Sequence, residues 1–262
     1  MNQPTAYIFD ENQCDCKLTR HNRIESPLDP QSHKLLTKTG VSAGWACLEI
    51  GAGSGSILQW LGESVGREGR VVGLDKKTTY LKQFTASPYE IVESDVFALE
   101  RIGPFDLIHG RYVLIHNRTT PEILAKLKTL LKPEGCLVLE EPDFESAEWI
   151  DDKFRFAGER VNAAICSMFN GMSLDPGLGK RLPWLISRLD LAVIHVEAIS
   201  HLEPGGGPVA LVMADSAEAL RNKYVSTGKA TNDDVDSYAE GARNAATWAN
   251  YYSTVGVIAK RA

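Results

Sequence analysis

The segment Leu48-Glu49-Ile50-Gly51-Ala52-Gly53-Ser54-Gly55-Ser56 joins a short apolar run to a stretch with helical spacing. Glycines at alternate positions let a backbone turn tightly and approach a ligand with no Cβ in the way. A helix that starts there offers its N-terminus to the same ligand. Two further acidic residues hold comparable places. Asp75 closes the run Arg70-Val71-Val72-Gly73-Leu74, and Asp95 follows Glu90-Ile91-Val92. A carboxylate at the first place accepts from both hydroxyls of a ribose. One at the second accepts from an adenine amino group. Together with Glu49, these types at these spacings are suited to an adenosine-containing ligand.

Two rival glycine motifs fail on the residues. The dinucleotide pattern Gly-x-Gly-x-x-Gly needs a glycine at 56 or 58, which are Ser56 and Leu58. A phosphate loop needs Gly-Lys-Ser/Thr after the glycines, and none follows.

Positioning such residues requires strands that end side by side. Buried strands are expected at Ala46–Ile50, Arg70–Asp75, Glu90–Val92, Phe105–His109 and Cys136–Glu140. Helical spacing is expected at Gln31–Thr39, stopped by Gly40, and at Ser54–Val65, Thr78–Phe84 and Pro121–Leu131. The pattern changes after Pro142. Helices are expected over Trp149–Met172, Gly179–Leu189, Pro208–Tyr224 and Asp233–Trp248, a sixth strand over Leu191–Ser200, and a last strand at or near the sheet edge over Tyr252–Lys260. Strands alternating with helices imply an α/β, doubly wound, mostly parallel seven-stranded sheet covered on both faces, with ligands beyond the carboxyl ends of its strands. Residues 1–30 read as an arm or flap. Residues 31–262 read as one domain, with helical lid insertions at about 143–190 and 203–250.

The glycine segment and the acidic residues after it resemble the class I S-adenosylmethionine-dependent methyltransferases, whose first motif is Glu/Asp-x-Gly-x-Gly-x-Gly. Leu131-Lys132-Pro133-Glu134-Gly135 is similar to the family's turn into its fifth strand, with Glu134 in place of one glycine. Arg111-Tyr112-Val113-Leu114-Ile115-His116 is similar to the segment after strand four in the ubiquinone/menaquinone-type and natural-product subgroup. The resemblance covers about residues 35–142 well and implies the Rossmann-like methyltransferase fold with S-adenosylmethionine as cofactor. It implies that Glu49 orients the loop and the methionine amino group, and that Gly51, Gly53, Ser54 and Gly55 form the cradle. It also implies that Asp75 takes the ribose hydroxyls with Lys76 near the adenine, that Asp95 and Val96 hold the adenine edge, and that Arg111 and Tyr112 flank the methionine end.

A methyl acceptor that is a hydroxyl, an acidic carbon or a protonated amine needs a base. His116, Glu141 and Asp143 qualify by position, His116 first because histidine titrates near neutral pH. His109 ends a buried strand and reads as packed. Tyr7 with Phe9 is placed over the site by the arm. Phe169, Trp184 and Tyr251 are the acceptor-lining candidates, with Phe154, Phe156, Met168, Met172, Trp248 and Tyr252 beside them.

The net charge of −6 and the absence of a basic stripe disfavour nucleic acid as partner. The resemblance implies a small-molecule acceptor, expected to be a secondary or quinone-like metabolite. Five cysteines are an odd set for a disulfide framework. Cys14-x-Cys16 is too closely spaced for a zinc knuckle, and no converging carboxylate set is evident, so no metal is expected. The first residues lack the apolar core of a signal peptide, and no stretch is long enough to span a bilayer, so the expected compartment is the cytoplasm. A homodimer is left open. Two alternatives stand beside methyl transfer: a regulatory protein that binds S-adenosylmethionine without catalysis, and a nucleotide-dependent oxidoreductase.

Overall fold

A strand covered on both faces reads as a continuous apolar run, and Cys47, Leu48 and Ile50 are all buried in β1 (Ala46–Ile50). β1 lies at the centre of an eight-stranded sheet. The computed structural model describes residues 27–98 and 102–262. β1 is flanked by β2 (Arg70–Asp75), which pairs in turn with β3 (Tyr89–Glu93), and on its other side by β4 (Phe105–Arg111) and then β5 (Leu131–Asp143), all parallel. The order reverses between β1 and β4, the place where doubly wound sheets open a crevice for ligands.

Helices cover both faces. α1 (residues 27–37) and α2 (Ser56–Val65) lie on one, where Leu35, Leu36, Ile57, Leu58, Leu61 and Val65 share a core with Cys47, Val71 and Leu107. α3 (Thr120–Leu130) buries Ile123, Leu124 and Leu127 on the other face, against Leu48, Ile108 and Leu137. Each strand thus gives alternate residues to two separate cores.

The second half departs from expectation in several places. Residues 27–30, assigned to the arm by the sequence, are already helical. Trp149 opens no helix. It lies in the two-residue strand β6 (Glu148–Trp149), and α4 (Arg155–Gly171) begins after it. Glycines make room for the Trp149 ring. A Cβ at Gly158 would stand 2.3 Å from it, and one at Gly241 2.7 Å. α5 (Leu178–Ser187) precedes β7 (Leu191–Pro204). The expected helix to Tyr224 breaks at Leu220 into α6 (Pro208–Ala219) and α7 (Arg221–Ser226). α8 (Asn232–Arg243) starts in a capping box between Thr231 and Asp234, two orphan donors satisfied reciprocally. Trp248 then belongs to β8 (Trp248–Arg261).

β8 is not at the sheet edge. It inserts antiparallel between β5 and β7, which leaves β7 outermost. A central place explains its unbroken burial from Thr254 to Ala259. Helices α4, α5, α6 and α8 also share one core with the sheet, since Val161, Ile165, Leu182, Val209 and Tyr238 pack in the same cluster as Leu48 and Leu139.

Candidate active site

Strand alternation decides what lies beneath the glycine loop. Cys47, Leu107 and Val138 face α1 and α2. Two residues on along β1 and β4, and on along β5, the same face carries Glu49, His109 and Glu140. The register pairs Glu49 with His109, and His109 with Val138, so the imidazole falls between the two carboxylates. His109 Nδ1 lies 2.6 Å from Glu49 Oε2, and Nε2 lies 2.9 Å from Glu140 Oε1. The imidazole is 0 % exposed. Burial opposes its charge, but the two carboxylates outweigh burial and push its pKa up to about 9. Burial raises the Glu49 carboxyl above the ordinary range, with His109 pulling the other way.

Arg111 follows on the same face. Its guanidinium donates to Asp29 Oδ1 and to Ser32 Oγ of α1, both at 2.8 Å. Asp29 Oδ1 also accepts from Ser56 Oγ, at the start of α2, at 3.0 Å. A chain of paired charges therefore fastens α1 above the strand tips and beside the loop. The sequence placed Glu49 and Arg111 at the methionine end of a cofactor. Here the Glu49 carboxylate is turned under the loop toward His109, and Arg111 is turned toward α1.

The loop itself has the backbone its glycines allow. Gly51, Gly53 and Gly55 have φ of 65°, 56° and 93°, all left-handed. A Cβ at Gly51 would stand 2.4 Å from Val113 Cγ2. Gly55 is buried on Phe84, and so shapes the turn from beneath. Gly53 N–H donates to Asp75 Oδ2 and Lys77 N–H to Asp75 Oδ1, each at 3.0 Å. Asp95 accepts from Phe97 N–H at 3.0 Å and pairs with Lys76 Nζ at 2.9 Å. Val96 is buried next to it. Gly51, Gly53, half-buried Ser54, Asp75, Lys76, Asp95 and Val96 thus follow the adjacent tips of β1, β2 and β3. An exposed turn at Gly51 with no Cβ of its own, packed against Val113, with a half-buried carboxylate beside it, fits an adenosyl group.

A second polar group joins the residue just past β4 to side chains on β8 and β7. Tyr112 leaves β4 with φ 57°. Its Oη lies 2.5 Å from Thr254 Oγ1 and 3.4 Å from Tyr252 Oη. Thr254 Oγ1 lies 2.7 Å from His201 Nε2 on β7, and the His201 ring packs 4.6 Å from that of Tyr252. Burial lowers the His201 pKa to about 4, so its imidazole is neutral at pH 7. Phe144 packs 5.4 Å from Tyr252 and 5.3 Å from Phe169, which extends this group as an aromatic wall.

The base candidates separate. Glu141, on the opposite face to Glu140, is fully buried and accepts backbone N–H bonds from Val113, Leu114 and Ile115 at 3.0, 2.7 and 3.0 Å. Burial raises its pKa to about 8 against those three bonds. Its carboxylate caps the turn Leu114–His116 rather than facing an acceptor. Half-buried His116 ends that turn. Asp143 ends β5, where it accepts from Glu145 N–H at 3.1 Å and lies 3.8 Å from Lys180 Nζ.

Of the acceptor-lining candidates, Phe169 joins the aromatic wall. Trp184 does not. It is 62 % exposed on α5, under the Arg188 guanidinium. Tyr251 points to the other side of β8 from Tyr252 and is 1 % exposed against Trp149. Tyr7 lies outside the described residues. His201, Thr254, Asp29 and Ser32 were missed. One signal was available for the buried set: Glu49, His109 and Glu140 are polar residues inside runs too apolar to leave them solvated.

Among the described residues, no group of three or more His, Cys, Asp or Glu is placed to hold a metal ion, and no helix is long and apolar enough to cross a membrane.

The family model described as "Methyltransferase domain" matches residues 20–177, more than half of the chain. Among curated relatives, a tRNA U34 carboxymethyltransferase from Pseudoalteromonas translucida is 38% identical over 112 residues, 40% of this chain and 34% of that protein. The chain thus spans about a third of the length of that relative. A protein called methyltransferase str2, from Strobilurus tenacellus, is 26% identical over 203 residues, 75% of this chain and 70% of its own. Among solved structures, N-methyltransferase NodS from Bradyrhizobium japonicum WM9, in complex with S-adenosyl-L-homocysteine, superposes with a TM-score of 0.52. It is 12% identical, with 90% of this chain and 88% of that one covered. With this fold, this glycine cradle and a family match over most of its length, the chain belongs to the class I S-adenosylmethionine-dependent methyltransferases.

Proposed function

We propose that the chain transfers the methyl group of S-adenosylmethionine to a small, partly apolar acceptor. The observation that carries this reading is a juxtaposition. The bare-backbone cradle at Gly51 and the aromatic wall of Phe144, Phe169 and Tyr252 meet at Tyr112–Val113, whose side chains belong one to each.

The cofactor, when bound, supplies an already electrophilic methyl on a sulfonium. The chain's residues bind, orient and exclude water. Asp75 offers its carboxylate at the ribose position, and Asp95 with Lys76 borders the adenine edge. The paired charges beneath the loop hold Glu49 and Arg111 fixed, so that the tips of β1 and β4 do not reorganise when a ligand arrives. The aromatic wall aligns an acceptor by shape. His116 and Asp143 stand near enough in the chain to serve it as polar contacts.

The relatives named for tRNA U34 provide a second reading, an RNA acceptor. A net charge of −6 argues against it, since backbone phosphates need a basic surface. Calorimetry with S-adenosylmethionine and S-adenosylhomocysteine, followed by methyl-transfer assays on a metabolite panel and on bulk tRNA, separates the readings. Binding with turnover on a metabolite is expected. Turnover on tRNA alone establishes the second reading. Binding with no turnover on either points to a regulator, and nicotinamide binding in place of S-adenosylmethionine points to an oxidoreductase.

A further inference from the structure

We infer that Tyr112, Thr254 and His201 form a proton outlet for a neutral hydroxyl acceptor of the phenol class, with Tyr112 as the catalytic contact and Thr254 and His201 as positioning residues. The inference rests on the methyltransferase reading above and names the acceptor class of that site.

The geometry has three parts. First, Tyr112 sits where the chain turns out of β4, next to Val113, whose methyl group presses on the Gly51 position of the cradle. The Tyr112 backbone is therefore one residue from the loop contact, while its hydroxyl reaches across to β8. Second, the hydroxyl is the head of a continuous chain, Tyr112 Oη to Thr254 Oγ1 at 2.5 Å and Thr254 Oγ1 to His201 Nε2 at 2.7 Å. When Tyr112 O–H donates to Thr254 and Thr254 O–H donates to the imidazole lone pair, Tyr112 Oη, with Tyr252 Oη 3.4 Å away, keeps a lone pair able to accept from another O–H. Third, the direct contacts of the chain are aromatic rings and neutral polar groups, with the charges of Arg111 and Glu203 felt from further off. The rings of Tyr252 and Phe144 stand around the chain, and His201 contacts the Tyr252 ring and Thr254. Glu203, two residues along β7, has its carboxylate held by Ala210 N–H at 2.6 Å. A charged acceptor would lose its hydration there without a partner, whereas a phenol leaves one polar group to satisfy.

The proton balance closes within the site. The acceptor oxygen forms its bond to the methyl carbon as the methyl–sulfur bond breaks, and the bonding pair stays on the sulfur of the neutral thioether product. The acceptor's proton passes to Tyr112 Oη, that of Tyr112 to Thr254 Oγ1, and that of Thr254 to His201 Nε2. The resulting imidazolium returns its proton to water. Burial holds His201 neutral at pH 7, with its pKa lowered to about 4, which makes it a weak base. A weak base suffices because the oxygen becomes strongly acidic only as the methyl arrives.

The subsite is tested without the cofactor. 4-Nitrophenol is titrated into the full chain at pH 7 and followed by its absorbance, since its phenol and phenolate forms absorb at different wavelengths. Bound probe in the protonated form is expected, with Thr254→Val and His201→Gln weakening it about three- to tenfold. Thr254→Ser, which keeps the hydroxyl, is expected to restore wild-type binding. Bound phenolate, or equal affinity in all these variants, overturns the inference. Calorimetry with S-adenosylhomocysteine on the same samples tests the methyltransferase reading independently, because loss of that binding leaves the phenol result to stand by itself.

The outlet is tested with turnover on a simple phenol. Tyr112→Phe and Thr254→Val are each expected to lower kcat by about 10²-fold. The double variant is expected to be no slower than the slower single one, because the residues act as one unit. Additive losses, or wild-type rates, overturn it.

Discussion

Two buried polar networks meet at the end of β4, and they differ in charge. On the α1 side the groups are ionic: His109 is paired with Glu49 and Glu140, and Arg111 beside them with Asp29. On the β7 side, Tyr112, Thr254, His201 and Tyr252 are neutral hydroxyls and an imidazole. Two histidines one strand-tip apart in function show how environment assigns charge. Both are buried, but His109 is held charged by two carboxylates while His201 is held neutral by burial without a carboxylate partner. An ionic network in a low-dielectric interior is stable only when complete, so it is suited to fixing a loop. A neutral hydroxyl chain can reverse its donors at little cost, so it is suited to moving a proton.

The largest test of this contrast is His109→Gln. It leaves Glu49 and Glu140 buried without their cation, and is expected to destabilise the fold by about 3–5 kcal/mol in urea unfolding. The pH dependence gives the sign. A histidine pKa raised from 6.5 to about 9 contributes stability that is full below pH 6.5 and is lost as the pH rises through 9. Unfolding midpoints should fall over that window in the wild type and lose that component in His109→Gln. A wild-type midpoint that stays flat would show an uncharged imidazole and erase the contrast.

Asp75→Ala should weaken S-adenosylhomocysteine binding by about 1–3 kcal/mol, read by calorimetry, because it removes charge-assisted bonds and frees Gly53 N–H. Unchanged affinity would take Asp75 out of the cofactor site. Arg111→Met should release α1 while the sheet stays folded. Amide exchange across residues 27–37 is expected to speed up by about tenfold, against little change in β1. Uniform acceleration would mean that Arg111 supports the whole fold instead. The smallest expected effect is that of His116→Ala, with turnover within about threefold of wild type. A loss of about 10²–10⁴-fold would place the base at His116 and leave the hydroxyl chain a structural feature.

The parts of the site that were legible in the sequence are those set by local backbone. Alternate glycines after an apolar strand require left-handed φ, and Gly51, Gly53 and Gly55 have it. Asp75 could be placed because it ends a strand next to that loop, and the two share a hydrogen bond. Glu49 was visible as a residue but not as a contact, since its partner His109 is brought to it by strand pairing. Trp184 and Tyr251 show the limit of aromatic composition as a signal. A helical period or a strand alternation says that a ring has a face, not which neighbour covers it.

The chain order of strands and helices as far as β5, the cradle and the acidic tip of β2 were therefore determined by the sequence alone, because each depends on residues a few positions apart. The place of β8 inside the sheet, the pairing that traps His109 between two carboxylates, and the meeting of Tyr112, Thr254 and His201 were decided only by tertiary structure. These depend on which strands become neighbours and in what register, and a shift of one residue would have turned every one of those side chains to the other face.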